Sequence, residues 1–143
     1  MNEKPILIVE DNPDDIALTI LAFEQNNITN ELIITNDGVE ALDYLFARGR
    51  YSDRDKGKTP AFILLDLQLP RINGFDVLKT VREETLTRLI PVIILSTSTE
   101  ARDVSSSYSL GANSYIRKPV DYEQFRKTVQ LLGRYWLELN LLQ

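Results

Sequence analysis

Histidine and cysteine are both missing from this 143-residue sequence, and each absence closes a class of chemistry. Without cysteine there can be no disulfide, no zinc–thiolate site and no thiol nucleophile. Without histidine the chain lacks the commonest general base and transition-metal ligand, and it cannot form a phosphohistidine of its own. No apolar run reaches the roughly 18 residues of a membrane span, and the N-terminal "KPILIVED" is too short for a secretory core, so a cytosolic protein is expected. Positive charge is also short, with 16 bases against 21 acids and a net charge of −5. That argues against nucleic acid, whose partners present a basic surface. A glycine-rich GxGxxG turn, the mark of dinucleotide enzymes, is absent as well.

What is present reads as one globular domain over residues 1–143, since 43% hydrophobic and 26% charged residues are the balance of a chain with a full core. Five short apolar runs, "PILIVE" (5–10), "ELIIT" (31–35), "AFILLD" (61–66), "PVIILS" (91–96) and "NSYIRK" (113–118), lack polar alternation, as parallel strands covered on both faces do. Helical spacing lies between them. Ile16, Ile20 and Phe23, with Leu18 and Leu21, mark a first helix; Val39, Leu42 and Phe46 a second; Val77, Leu78 and Val81 a third. A Ser-rich fourth lies around 100–110, and a fifth starts at Asp121, a good N-cap with Gln124 three residues on, and carries Phe125, Val129, Leu132 and Trp136. Strand and helix alternating five times predict an α/β fold, a doubly wound five-stranded parallel sheet with right-handed crossovers.

The run "ILLDLQLP" (63–70) is apolar enough to be buried, yet carries Asp66. An ionised carboxylate there is costly unless something cancels it. Ligands of open parallel sheets bind outside the carboxyl ends of the strands, so residues at those ends meet. Here they are Glu10 and Asp11, Asp66, Ser96 and Thr97, and Lys118 with Pro119. Three carboxylates so close repel unless a cation joins them, and hard oxygen ligands select Mg²⁺. A carboxylate beside Mg²⁺, a lysine and a hydroxyl can attack a phosphoryl group and form an acyl phosphate. A phosphohistidine donor would have to belong to another protein. Asp14 and Asp15 follow Pro13 at a helix start, where carboxylates favour the dipole, so they are read as capping residues.

The segments "ILIVEDNPDD", "LLDLQLPRINGFDVL", "PVIILSTS" and "SYIRKP" resemble, in order and spacing, the receiver domain of two-component response regulators, over nearly the whole chain. "VEDNPDD", the insertion before "PAFILLDLQLP" and the ending "YWLEL" are most similar to the single-domain response regulators of cyanobacterial phytochromes. The resemblance implies a flavodoxin-like (βα)5 fold with strand order 2-1-3-4-5. It implies Asp66 as phosphoacceptor, with Mg²⁺ held by Asp11, Asp66, the backbone carbonyl of Gln68 and, through a water, Glu10. Ser96, where threonine is commoner, would contact the phosphoryl oxygen, and Lys118 would pair with the same group. Ser96 and Tyr115 would form a switch, and Gln68 and Ser98 would tune phosphoryl lifetime. Thr97, where alanine is frequent, would slightly crowd the donor's approach. Pro70 and Gly74 would shape the loop after Asp66, Gly74 through a positive φ, and Lys118–Pro119 would be cis. The implied partner is a sensor histidine kinase of phytochrome type, and the implied role is that of a phosphoacceptor assisting its own transfer and autodephosphorylation, not of an enzyme.

Other classes make different demands. A flavodoxin would hold an FMN phosphate after the first strand, where "EDNPDD" repels it; a dehalogenase-type phosphatase needs an acid two residues after its nucleophile, where Gln68 stands. A docking module that is never phosphorylated is the main alternative. Two stretches fall outside the motif. The polar "RGRYSDRDKGKTP" (48–60) reads as a solvated insertion whose bases keep it soluble, with docking as the alternative. The apolar tail (135–143) is richer in large apolar groups than a last helical turn needs: Trp136 and Leu139 are expected to complete the core against the sheet, leaving Leu137, Leu141 and Leu142 for an exposed patch. Such patches mark interfaces, so a homodimer through the fourth helix, fifth strand, fifth helix and tail is expected.

Overall fold

A computed structural model describes residues 3–141. The strands are β1 (Ile6–Val9), β2 (Leu32–Thr35), β3 (Ile63–Leu65), β4 (Val92–Ser96) and β5 (Ser114–Arg117), and the helices between and after them are α1 (Pro13–Gln25), α2 (Gly38–Leu45), α3 (Gly74–Glu83), α4 (Ala101–Ser109) and α5 (Tyr122–Gly133). All strand pairs are parallel, in the order β2-β1-β3-β4-β5, as expected.

Because side chains alternate across a strand, the apolar runs feed two cores at once. Leu7, Val9, Ile63, Leu65, Val92 and Ile94 face α2 and α3, meeting Leu42, Leu45, Val77, Leu78 and Val81. Ile6, Ile8, Phe62, Leu64, Ile93 and Leu95 face α1 and α5, meeting Phe23, Phe125, Val129 and Leu132. Leu18 and Leu21 of α1 point outward, at 41% and 39% exposure. The Asp121 side chain accepts from the Gln124 amide and starts α5 as expected.

Beyond α5 the helix widens into a π-helical stretch, Arg134–Leu139, closed by the Asn140 amide donating to the Tyr135 carbonyl (2.7 Å). The wider turn shifts the apolar phase by one residue. Leu137 is therefore buried in the α1–α5 core and Trp136 is partly buried against it. Leu139 and Leu141 are exposed. This corrects the expected placing of Leu137 and Leu139; Leu142 lies outside the described residues.

The insertion is exposed over most of its length, as expected, but it also has an organisation of its own. A short 3-10 turn (Gly49–Tyr51) leads to Arg54, whose guanidinium donates to the carbonyls of Tyr44, Leu45, Asp55 and Lys58 and lies 4.1 Å from the Tyr44 ring centre. Tyr51 packs edge-on against Tyr44 and donates to Glu40. The segment is folded onto α2 around one arginine.

Candidate functional site

The strand ladders run one residue past the strand ends, and this assembles the site. The Glu10 amide donates to the Thr35 carbonyl (3.0 Å), the Asp66 amide to that of Val9 (3.1 Å) and the Lys118 amide to that of Ser96 (2.7 Å). The residues that follow β1, β3 and β5, and the last residue of β4, thus stand side by side at the carboxyl edge.

Lys118 lies at their centre. Its ammonium donates to Glu10 Oε1 (2.5 Å), Asp15 Oδ2 (3.0 Å) and Asp66 Oδ2 (3.1 Å), and its side chain is 15% exposed. Glu10, Asp11 and Asp66 each bring one carboxylate oxygen within 4.8 Å of the others, so the negative charge exceeds what one lysine can offset. The electrostatics follow. Burial, reinforced by the Asp66 carboxyl against the pull of Lys118, pushes Glu10 up to about 8. Burial alone would lower the Lys118 ammonium; hydrogen bonds to Glu10 and Asp15 and the Asp66 charge outweigh it and hold the group above its usual range. The donor set, clustered hard oxygens with surplus negative charge, fits a divalent cation such as Mg²⁺.

Asp66 accepts on its other oxygen from the Gln68 amide (3.1 Å). Ser96 is buried and accepts from the Ser98 amide (3.2 Å). A cavity of about 470 Å³ lined by Gln68, Asn73, Phe75, Ser96, Ser98 and Asp103 opens beside it. Ser98 Oγ donates to Asp103 (2.6 Å), engaging the first turn of α4, and the Tyr115 hydroxyl donates to the Ser98 carbonyl (2.8 Å). Thr97 is exposed.

Three expectations are corrected here. Asn12, not Asp14 or Asp15, caps α1, accepting from both their amides; this leaves the Asp15 carboxylate free to reach Lys118, a site residue that sequence reasoning missed. No peptide bond among the described residues is cis. Lys118–Pro119 is trans, the favoured isomer even before proline by about 0.5–1 kcal/mol, and the ladder bond from the Lys118 amide already directs the lysine into the site. Gly74 has no positive φ; in that loop the left-handed residue is Arg71 (φ 65°). Glycine is needed at 74 for space, since a Cβ would lie 2.4 Å from the Asp66 carbonyl oxygen and 2.6 Å from Leu67 Cα.

The family model for the response regulator receiver domain matches residues 6–130. The probable methanogenesis regulatory protein FilR2 of Methanothrix harundinacea is 38% identical over 94% of this chain and 84% of its own. Response regulator Rcp1 of Synechocystis is 37% identical over 94% and 90%, and its Mn²⁺-bound crystal structure superposes with a TM-score of 0.88 at 36% identity, covering 98% of this chain and 99% of that one. The phosphorylated cyanobacterial phytochrome response regulator RcpA superposes with a TM-score of 0.90 at 35% identity, covering 99% of both chains.

Proposed function

The chain belongs to the response regulator receiver family, and from that membership we propose that it is a stand-alone response regulator whose Asp66 accepts a phosphoryl group from a sensor kinase's phosphohistidine. The observation that carries this reading is the contact of Asp66, 14% exposed, with the Lys118 ammonium at 3.1 Å, inside a pocket whose acids call for a cation. In the transfer, the N–P bond of the donor imidazole breaks as a P–O bond forms to an Asp66 oxygen, and the imidazole takes a proton from solvent. The chain has no histidine, so the donor is another protein. RcpA, a phytochrome response regulator by name, supports a phytochrome-type kinase as that partner.

Glu10, Asp11, Asp66 and the Gln68 carbonyl would hold Mg²⁺, with Glu10 acting through a water. Bound there, the ion offsets charge on the phosphoryl oxygens. Lys118 pairs with the same oxygens, and the Ser96 hydroxyl donates to one of them. Ser96 moving toward the phosphate leaves room for Tyr115 to turn inward, which needs release of its bond to Ser98. That shift would alter the face of α4, β5 and α5, where Tyr108, Leu131, Tyr135 and Leu139 are exposed, and a homodimer through this face and the tail is the accompanying reading. Gln68 and Ser98 flank the path of hydrolytic water and set phosphoryl lifetime.

Intact-protein mass after acetyl phosphate treatment, with Mg²⁺ or EDTA, tests the reading. One Mg²⁺-dependent phosphoryl adduct in the wild type and none in Asp66→Asn is expected. No adduct under any condition would replace it with a docking module that is never phosphorylated. Sedimentation showing only monomer at high micromolar concentration, phosphorylated or not, would remove the dimer.

A further inference from the structure

An ammonium has three N–H donors, and here carboxylates take all three. Two of the acceptors, Glu10 and Asp66, are 6% and 14% exposed and belong to the acid pocket; the third, Asp15, is 39% exposed and comes from α1. Asp15 is not a loosely placed charge. Its amide donates to Asn12 Oδ1 (3.0 Å) and its carbonyl accepts from Thr19 Oγ1 (2.7 Å), so the helix start aims the carboxylate at the lysine. A phosphoryl group on Asp66 needs a donor from Lys118, and one of the three carboxylates must give one up. The most exposed is the least costly to release.

We infer that Asp15 is a positioning residue that restrains phosphorylation, holding one donor of Lys118 away from the phosphoacceptor until the phosphoryl group displaces it. This rests on the reading of Asp66 as phosphoacceptor. Two effects act in the same direction: Asp15 competes for the ammonium, and its charge opposes the approach of an anionic donor. Asp14 supplies the control. It stands beside Asp15 in the first turn and shares the same capping side chain, but is exposed and has no bond to Lys118.

The test is the initial rate of adduct formation with acetyl phosphate and Mg²⁺, by intact mass, for wild type, Asp15→Asn, Asp15→Glu and Asp14→Asn, with thermal midpoints in parallel. A part-exposed ion pair is worth up to about 1 kcal/mol, which converts to a two- to fivefold acceleration in Asp15→Asn. Asp15→Glu, which keeps the charge, should return to the wild-type rate, as should Asp14→Asn, while every variant should keep a midpoint within a few degrees of wild type. An Asp15→Asn rate equal to or below wild type would overturn the inference, as would equal acceleration in Asp14→Asn. If the wild type itself takes up no phosphoryl group, the phosphoacceptor reading fails and this inference falls with it; a normal wild type with an unresponsive Asp15→Asn removes only the inference.

Discussion

Replacing Lys118 by methionine keeps most of the side chain's bulk and removes its charge. The ammonium holds three carboxylates at 2.5, 3.0 and 3.1 Å. Removing one partner of a buried ion pair costs about 3–5 kcal/mol, because charge is left uncompensated. The Asp15 contact, on a 39% exposed side chain, adds at most about 1 kcal/mol, and partial solvent access to the pocket lowers the total. A loss of about 3 kcal/mol is expected at pH 8 in EDTA, or roughly 10 °C in thermal midpoint for a domain of this size. The pH dependence follows from the acids. Lys118 is held above its usual range, so its own ionisation is constant between pH 5 and 9. Glu10 already sits near 8, and loss of the lysine raises it further. The folded variant then binds more protons than the unfolded chain, so its stability falls as pH rises. The deficit against wild type should thus shrink toward pH 5.5, and Mg²⁺ should recover part of it at pH 8. Urea titration at the two pH values, with EDTA or Mg²⁺, reads all three effects. A variant within 0.5 kcal/mol of wild type at pH 8, or a larger deficit at pH 5.5, would refute the reasoning.

With Glu10 pushed up to about 8, its own contribution to metal-free stability should be fully present below the ordinary carboxylate range and be lost as pH rises through 8. Mg²⁺ affinity should instead rise over that interval, and Glu10→Gln should flatten both profiles in calorimetry. Gly74→Ala places a methyl group 2.4 Å from the Asp66 carbonyl oxygen; about 1–3 kcal/mol of destabilisation is expected in urea, and an unchanged midpoint would mean that the loop yields. Arg54→Ala removes a half-buried hub of carbonyl contacts. Amide exchange across residues 48–58 should accelerate far more than in the strands, whereas uniform acceleration would show that the insertion unfolds only with the whole domain.

The strands, with Glu10, Asp11, Asp66, Ser96 and Lys118 at their ends, could be read directly, because unbroken apolar runs have few other uses and a buried acid must have a reason. What escaped the sequence depends on choices that only the assembled fold makes. Asp14 and Asp15 are chemically identical neighbours at one helix start, and nothing local distinguishes the one that reaches Lys118, 103 residues away. Asn12 in front of them was the available signal, since a helix already capped by an asparagine leaves later acids for other work. Arg54 looked like one more soluble base because its partners are backbone carbonyls, which carry no sequence signature. The tail escaped because a turn whose hydrogen bonds step five residues, not four, has no signature in the apolar content from which it was read.

That wide turn also decides which side chains the end of the helix shows to solvent. Leu132 and Leu137 both face the core, five positions apart where a regular helix would put partners three or four apart. Removing any one residue from 133–136 would bring the pair to regular spacing and let α5 run on without interruption. The wide turn therefore keeps Leu132 and Leu137 on one core face although they stand five positions apart. The apolar side chains exposed past that point, Leu139 and Leu141, owe their outward direction to that turn rather than to their own polarity.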